Sequence, residues 1–472
     1  MTAIRRRIMG LETEYGIANM QDSSRRLGPD EIARTLFAPV VEEHRSSNIY
    51  TENASRLYLD VGAHPEFATA ECDSLHQLIA YDRSGDLMFH ELADRAEQAV
   101  GGKVYLLKNN TDSLGNSYGC HENYLVSRDV PLKGLSKQLL PFLVTRQLIC
   151  GAGKLAIPYP GAPNENFGPG YTMSQRADHV WEGVSSATTR SRPIINTRDE
   201  PHADADRFGR LHVIIGDANQ SQTSNLLKFG MTALVLDAIE SGVDFSDLQL
   251  TAPVEELERV SRDVTLQHRL QLADGRELSA LEVLAEYRQR VTATTEVDRK
   301  VLAAWDEAVA LLAEDPLSAA HLLDWVAKYR LVRAYMDRGI AADNPKLAAI
   351  DLQYADVDPD KSLYYALLRK GQMRELVSGD ELAAAADTPP DSSRAYLRGR
   401  VLEKFGDAVA AASWDTIVLH AHINGLDKQA VLRLKEVGSA TATHVGQAVD
   451  EAGDVPELLE ALARAGITAE YR

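Results

Sequence analysis

One short segment constrains the fold more than any other, because it alternates with the period of a β-strand and carries polar groups that a strand does not need. Residues 56–61 read Arg-Leu-Tyr-Leu-Asp-Val. In a strand, Tyr58 and Asp60 point to one face while Leu57 and Leu59 point to the other. The pattern predicts a sheet with one apolar face and one face that carries an acid and a phenol.

A second segment near the start of the chain repeats the pattern. Residues 10–16 read Gly-Leu-Glu-Thr-Glu-Tyr-Gly, so Glu12 and Glu14 share a face. Together the two segments offer oxygen ligands suited to hard cations such as magnesium, which points to nucleotide chemistry. Taken one at a time, each segment is also compatible with an ordinary sheet edge whose carboxylates are solvated.

Charge and cysteine usage restrict the classes of function. Fifty Lys and Arg against 69 Asp and Glu give a net charge of −19 over 472 residues, which disfavours broad attraction to nucleic acid or to an anionic membrane. Three cysteines without metal-ligand spacing indicate a reducing cytoplasm. No stretch of about 18 apolar residues is present. We therefore expect a cytoplasmic protein with no membrane partner and no nucleic-acid partner.

The first half of the chain mixes predicted strands and helices. A helix should begin at residues 28–30 (Gly-Pro-Asp), and another should span 74–100. Residues 104–107 and 122–126 read as strands, and the turn-rich residues between them predict a hairpin. The Gly- and Pro-rich segment 158–171 predicts a loop long enough to be functional, and we interpret it as a lid.

The second half is mainly helical. Helical spacing covers 224–241 and most of 253–338, as expected of helices that back a sheet. After a break at 387–391, a helix, a β-like stretch from Trp414 to Leu419 and a final helix predict a small appended domain. The expected organisation is a catalytic domain at 1–388 and a C-terminal domain at 389–472, in an α+β fold.

Polar residues that do not suit a core recur on separate predicted strands. An antiparallel sheet can be solvated on one face, so these side chains predict an open site across neighbouring strands. Gathered carboxylates repel one another, and bound cations remove that repulsion. The candidates are Glu12, Glu14, Tyr58, Asp60, Glu66, His121, Asn123, Arg210 and His212.

The densest basic run of this acidic chain predicts recognition of phosphate or carboxylate groups. It contains Arg190, Arg192, Arg198, Arg207 and Arg210. The phosphate-loop and dinucleotide-binding signatures are absent from the sequence. A nucleotide would therefore bind on the sheet through metal and arginine, as in the ATP-dependent carboxylate-amine ligases.

Four long motifs resemble a known family. Residues 10–16, 56–72, 108–125 and 189–204 closely resemble the proteasome accessory factor A family, the ligases of the prokaryotic ubiquitin-like protein Pup. The resemblance covers nearly the whole chain. It implies a fold related to glutamine synthetase, with a curved antiparallel sheet backed by helices and a small C-terminal domain.

The Pup deamidase and depupylase branch of the family shares most of these residues. Leu-Tyr-Leu-Asp-Val-Gly at 57–62, Tyr-Gly-Cys-His at 118–121 and the short connection before Arg56 resemble the ligase branch. Residues 351–354 and 409–415 are more similar to the depupylase branch. The ligase is the expected activity, and Pup deamidase or depupylase is the alternative.

The resemblance implies a mechanism and a set of site residues. ATP would phosphorylate the γ-carboxylate of the C-terminal glutamate of Pup, and a lysine of a protein substrate would attack the acyl phosphate. Asp60 matches the catalytic base of the family. Magnesium ligands match Glu12, Glu14, Tyr58, Glu66, His121 and His212, and nucleotide contacts match Arg56, Thr69, Asn123, Arg210 and Trp414.

Two further classes of function remain open from the residues. A small-molecule γ-glutamyl ligase would need no groove for a protein partner. A non-catalytic adaptor would bind Pup or the proteasome without turnover, although intact Glu12, Asp60 and Glu66 argue against it. Because the family implies an acidic Pup, the basic residues Arg190, Arg192 and Arg207 are predicted to form its docking surface.

Overall fold

The computed structural model describes residues 7–21, 27–60, 62–112, 115–158, 168–187, 192–423 and 425–472. Two interpretations of the sequence fall outside these residues. They concern Arg190 in the basic run and most of the loop at 158–171 that was predicted to act as a lid.

The polar motifs lie on one eight-stranded sheet. Its adjacent strands are antiparallel, except for the first pair in the following order, which is parallel. In spatial order the strands are β10 (Glu182–Ser185), β11 (Pro193–Asn196), β12 (Phe208–Val213), β7 (Cys120–Ser127), β1 (Met9–Glu14), β5 (Pro65–Ala68), β4 (Arg56–Leu59) and β3 (Asn48–Tyr50). The predicted antiparallel sheet is thus confirmed, with one parallel edge pair.

Strand alternation gives this sheet one apolar and one polar face. On β1, Met9, Leu11 and Thr13 are buried on the face covered by helices, while Glu12 points the other way. The neighbouring β7 alternates in the same manner, with Tyr124 buried and Asn123 on the opposite face. This two-residue period is the one that the sequence predicts.

The predicted hairpin of residues 104–107 and 122–126 is wrong. The first segment is β6 (Gly102–Leu107), which pairs with β2 (Gly16–Gln21) in a separate two-stranded sheet, while the second belongs to β7. Since β1 and β2 follow each other with only Tyr15 between them, β7 and β6 each pair with one of the two. Strands β6 and β7 therefore lie end to end, and the turn-rich loop connects the end of β6 to the start of β7.

Helices cover the apolar face and build most of the core around it. They are α1 (Pro29–His44), α2 (Leu75–Val100), α3 (Leu132–Thr145), α4 (Gln147–Cys150), α5 (Gln222–Glu240), α6 (Pro253–Arg262), α7 (Ala280–Arg290), α8 (Glu296–Glu314), α9 (Asp324–Met336), α10 (Pro345–Ala355), α11 (Leu363–Arg369) and α12 (Gly379–Asp387). Two small hairpins complete this part, β8 (Lys154–Ala156) with β9 (Gly170–Thr172) and β13 (Arg269–Gln271) with β14 (Glu277–Ser279).

The C-terminal residues form a small domain with its own hydrophobic core, as the sequence predicts. Its four-stranded antiparallel sheet consists of β15 (Val409–Ala412), β16 (Thr416–Ile423), β17 (Leu426–Arg433) and β18 (Ala469–Tyr471), and it packs with α13 (Ala395–Phe405), α14 (Ala442–Glu451) and α15 (Val455–Arg464). The boundary after residue 388 stays a prediction.

Buried ion pairs fix this domain to the main sheet. Glu71, just after β5, pairs with Arg394 at 2.8 Å and also with Arg398. These two cations outweigh the effect of burial and lower the pKa of Glu71 to about 2. The pairs place one end of α13 beside the end of the polar face where β1 begins.

Two helical glycines should respond to Ala in opposite directions. A Cβ on Gly85 of α2 would lie 2.5 Å from the Phe67 ring, so Gly85→Ala should lower the free energy of unfolding by about 1–3 kcal/mol. A Cβ on Gly134 of α3 meets no atom within 4 Å, so Gly134→Ala should raise it by up to about 1 kcal/mol through helix propensity. Urea unfolding measures both, and two shifts of the same sign would contradict this packing.

Candidate active site

The centre of the polar face holds one acid and two imidazoles. Strand register sets Glu12 opposite His121, and His212 opposite Asn123. One ligand atom from each of Glu12, His121 and His212 lies within 4.8 Å of the others. Glu12 also accepts hydrogen bonds from Asn123 Nδ2 at 3.0 Å and contacts His121 Nδ1 at 3.3 Å. Residues that are far apart in sequence thus converge as the sequence predicts.

A second cluster of acids lies at the end of β1 where the strand finishes. Glu14 faces Glu66 directly across the β1–β5 pair, and the carboxylates of Glu14, Asp60 and Glu66 lie within 4.8 Å of one another. Tyr58 pairs with Glu66 across β4 and β5. Asp60 begins an exposed turn after β4, closed by the bond from its N–H to the His64 carbonyl at 2.9 Å.

Electrostatics differ between the two clusters. Burial and the charges of Glu12 and Glu14 hold the pKa of Glu66 well above its usual range. Burial would also raise the pKa of Glu12, but the hydrogen bond with His121 and the charge of Arg210 hold it below its ordinary value. Burial together with nearby cations lowers the pKa of His212 to about 3, so its imidazole is neutral at pH 7 and can act as a ligand.

The shape and the unsatisfied groups of the site fit a bound cation. Glu14 Oε1 and His121 Nε2 both lie over Gly119, where an added Cβ would come within 2.6 Å and 2.5 Å of them. Both ring nitrogens of His212 are shielded from solvent and have no hydrogen-bond partner among the described residues. A cation would neutralise the gathered carboxylates and accept the lone pair of one His212 nitrogen, the other nitrogen carrying the proton.

A cavity of about 610 Å³ opens beside the clusters, at the end where β1 begins. Four of the predicted nucleotide contacts line it, namely Thr69, Asn123, Arg210 and Trp414, together with Glu12. Its apolar lining includes Met9, Leu125 and Val437. The cavity thus has an apolar part suited to a nucleobase and a polar side that leads to Glu12.

Polar contacts orient the predicted nucleotide residues. Arg210 Nη1 donates to Asn123 Oδ1 at 2.9 Å and lies 3.7 Å from Glu12 Oε1. Thr69 Oγ1 accepts from the Leu11 N–H at 3.0 Å, which ties β5 to β1. Arg56 is not among the described residues that line the cavity. Its guanidinium lies 4.5 Å from the centre of the Tyr58 ring and donates to Asn48.

Two arginines of the predicted docking surface, Arg192 and Arg207, lie at opposite ends of β12. Arg207 immediately precedes β12 and pairs with Glu436 of the C-terminal domain at 2.7 Å. Arg192 precedes β11, whose Ile194 carbonyl accepts from Ile214 just beyond the other end of β12. The two arginines are therefore on the order of 20 Å apart along the strand direction. They are not neighbours in space, because an extended strand separates residues that are close in sequence. That these arginines dock Pup stays a prediction.

Some residues of the site carry no signal in the sequence. Arg394 lines the cavity from the position just before α13, and His202 lines it with a left-handed backbone at φ 47°. Arg176 lies fully buried beyond Glu14 in an irregular loop. Each comes from a segment without periodicity that tertiary structure alone brings to the site. A positive φ on a non-glycine residue is the type of strain that often marks functional sites.

Comparison with known proteins assigns this arrangement to a class of enzymes. A family model described as "Pup-ligase protein" matches residues 7–418. The chain therefore belongs to the Pup-ligase protein family, and the family expected from the sequence motifs is confirmed.

Two curated relatives carry the name Pup–protein ligase. The one from Corynebacterium jeikeium (strain K411) is 64% identical over 417 residues, which cover 85% of this chain and 89% of the relative. The one from Mycobacterium bovis (strain BCG / Pasteur 1173P2) is 47% identical over 442 residues, covering 91% and 96%.

Solved structures of the family share the fold. A crystal structure of the complex between Pup and its ligase PafA matches with a TM-score of 0.85 at 42% identity, covering 95% of this chain and 93% of that chain. A structure of the Pup ligase PafA in complex with ADP matches with a TM-score of 0.77 at 43% identity, covering 92% and 95%. These likenesses confirm the fold class.

Replacing Glu66 by Gln should make the metal-free protein more stable. The amide keeps the shape of the side chain and cannot ionise. It therefore removes the cost that burial and the charges of Glu12 and Glu14 impose on this carboxyl group, so the free energy of unfolding at pH 7.5 should rise by about 1 kcal/mol or more. Magnesium should then stabilise the parent more than the variant. Thermal unfolding in EDTA and in magnesium chloride measures both effects.

Glu42→Gln, exposed on α1, provides the matched control and should change neither quantity. A Glu66→Gln variant that is less stable than the parent in EDTA, and that gains as much from magnesium, would show that Glu66 is neither repelled by its neighbours nor a ligand.

Proposed function

We propose that this chain is an ATP-dependent Pup–protein ligase, which joins the C-terminal glutamate of Pup to lysine side chains and so tags proteins for proteasomal degradation. The observation that carries the proposal is one polar sheet face with a partly apolar cavity at one end and an acid cluster at the other. The chain combines that face with 64% identity to a Pup–protein ligase.

The reaction has two steps on this face. A γ-carboxylate oxygen of the C-terminal glutamate attacks the γ-phosphorus of ATP, and ADP leaves. The lysine amine then attacks the acyl carbon, and inorganic phosphate leaves with the oxygen that came from the carboxylate.

Arg210 and Asn123 lie where the cavity meets Glu12, so they are placed to hold the phosphates, while Thr69 and Trp414 line the part that would take the nucleoside. Arg56 would contribute from beside Tyr58.

Magnesium is the cation we propose for the clusters. Glu12, Glu14, Tyr58, Glu66, His121 and His212 would hold it, in keeping with the ligands that the family resemblance implies. When bound, it supplies neutralising charge to phosphate oxygens during transfer. The imidazoles of His121 and His212 also suit other divalent metals, whereas magnesium prefers oxygen ligands. The carboxylates at the Glu14 end therefore favour magnesium more than the imidazoles do.

Asp60 is the residue we propose as the base for the second step. A lysine amine with a pKa near 10.4 in its unperturbed state is protonated at neutral pH and must lose a proton before it attacks. Asp60 is exposed, on a turn beside Glu14 and Glu66, so a lysine of another protein can reach it. Asp60 lies at the Glu14 end of the polar face, away from the cavity proposed for the nucleotide, which agrees with this role.

The cellular setting belongs to the proposal as well. The three cysteines are buried and unpaired, which suits a reducing cytoplasm. Within the described residues, the structure contains no helix with the length and apolar character that a bilayer crossing requires.

A reconstituted reaction tests the function. Pup with a C-terminal glutamate, ATP, magnesium and a lysine-bearing protein should give a conjugate of higher mass on a denaturing gel, with one ADP per bond. The depupylase alternative predicts the opposite direction, in which a purified conjugate is cleaved and free Pup-glutamate yields none. Cleavage without any conjugation would overturn the ligase assignment.

Asp60→Asn should bind ATP nearly as the parent does and lose most conjugation, by about 10²- to 10⁴-fold, because the amide cannot accept the proton of the lysine. Conjugation rates at saturating substrates and ATP titration by calorimetry measure the two properties. Asp30→Asn, exposed at the start of α1, is the control. Conjugation by Asp60→Asn within a few-fold of the parent would remove Asp60 from this role.

A further inference from the structure

One buried arginine lacks the partner that the others have. The described side chains with the least exposure include five arginines, Arg83, Arg146, Arg176, Arg394 and Arg398. Four of them form ion pairs, with Asp86, Glu122 or Glu71. Arg176 is the exception, because no carboxylate of the described residues lies within 4.0 Å of it.

The contacts of Arg176 include no carboxylate of the described residues, although Glu14 and Asp217 attract it from beyond ion-pair distance. Its Nη1 donates to the Tyr118 carbonyl, and its Nε is buried without a hydrogen-bond partner among the described residues. Burying an unpaired cation is costly, and one partner carbonyl does not neutralise it. A negative group bound beside Arg176 would therefore lower the free-energy cost of burying this cation.

A second arginine, Arg192, adds positive charge beside Arg176. Arg192 is partly buried and also forms no ion pair within the described part of the chain. Burial and the charge of Arg192 together lower the pKa of Arg176 to about 10. Glu14 attracts both arginines from beyond ion-pair distance, and no described carboxylate contacts either of them. Two such neighbouring cations form a site for an anion, and the planar guanidinium fork matches a carboxylate or a phosphate.

The position of the pair indicates which anion it takes. The Tyr118 carbonyl that Arg176 binds belongs to the same peptide unit as the Gly119 N–H, which donates to Glu14 at 2.6 Å. The pair thus lies beyond Glu14, whereas the nucleotide cavity begins near Gly10 at the other end of β1. Four residues of strand separate these ends by roughly 14 Å. The anion therefore belongs to the acceptor and not to the nucleotide.

We infer that Arg176 and Arg192 bind the free α-carboxylate of the C-terminal glutamate of Pup, an inference that rests on the proposed function. A C-terminal glutamate carries two carboxylates separated by three carbon atoms. When the pair holds the α-carboxylate, the γ-carboxylate can point back to Glu14 and Glu66, where it is phosphorylated. An internal glutamate has no second carboxylate, so the pair selects the chain terminus.

A change in the substrate tests this without altering the enzyme. A fluorescent C-terminal peptide of Pup is prepared with a free α-carboxylate and as the α-carboxamide, both with an intact γ-carboxylate. Anisotropy without ATP should show that the parent binds the acid about 30-fold or more tightly than the amide, as expected for loss of a buried charged contact. Equal binding of the two peptides by the parent would overturn the inference.

The Arg192→Gln variant should remove this discrimination. It should weaken binding of the acid by about tenfold or more while leaving the amide unchanged, so that the ratio approaches one. Arg176→Lys, which keeps a charge without the fork, should give an intermediate ratio. Arg269→Gln, at an exposed arginine paired with Glu282, should keep the ratio of the parent. Circular dichroism confirms that each variant is folded.

The other outcomes are distinct. If the pair instead holds the phosphate in transfer, Arg192→Gln will slow conjugation equally with both peptides and preserve the ratio, which contradicts the inference. If the parent protein binds the acid peptide more tightly but forms no conjugate, the proposed function is contradicted and the carboxylate site is supported. A parent that conjugates both peptides equally well would remove the site and leave the function.

Discussion

The pairing of Glu14 with Glu66 across β1 and β5 is the constraint on which the polar face depends. Antiparallel register fixes these two carboxylates opposite each other, and alternation then places Glu12 and Tyr58 on the same face. The opposite face of β1 is buried by helices, so the strand cannot slip by one residue without exposing Leu11 and burying its acids. The core therefore holds in place an arrangement of like charges that would otherwise relax, and a cation makes it favourable.

This register also gives the site a direction. The cavity proposed for the nucleotide opens where β1 begins, and the acid and imidazole cluster occupies the middle. Glu14 and Asp60 lie at the other end, with the two arginines that no described carboxylate contacts. Phosphoryl transfer needs donor and acceptor in line, and a strand provides a straight scaffold for both. The C-terminal domain completes the donor end with Trp414 and Arg394, held by the ion pairs of Glu71.

Much of this could be read from the sequence, for a physical reason. Alternation is a local property, so residues 10–16 and 56–61 reveal which side chains share a face, and the long motifs reveal the family. Pairing is not local. The hairpin prediction for β6 and β7 failed because β2 offered β6 another partner, and the spacing of Arg192 and Arg207 could not show that a strand separates them. Arg176 could not be found, because only the tertiary structure reveals that it is buried and that no described carboxylate contacts it.

The central claim is that the carboxylate of the acceptor attacks ATP on this face before the lysine reacts. Its most direct test is to label both γ-carboxylate oxygens of the C-terminal glutamate of Pup with ¹⁸O and to follow the label during conjugation. Mass spectrometry of the inorganic phosphate should find one ¹⁸O in each molecule released, because the bridging oxygen of the acyl phosphate leaves with the phosphate. Conjugate formed together with unlabelled phosphate would contradict the account.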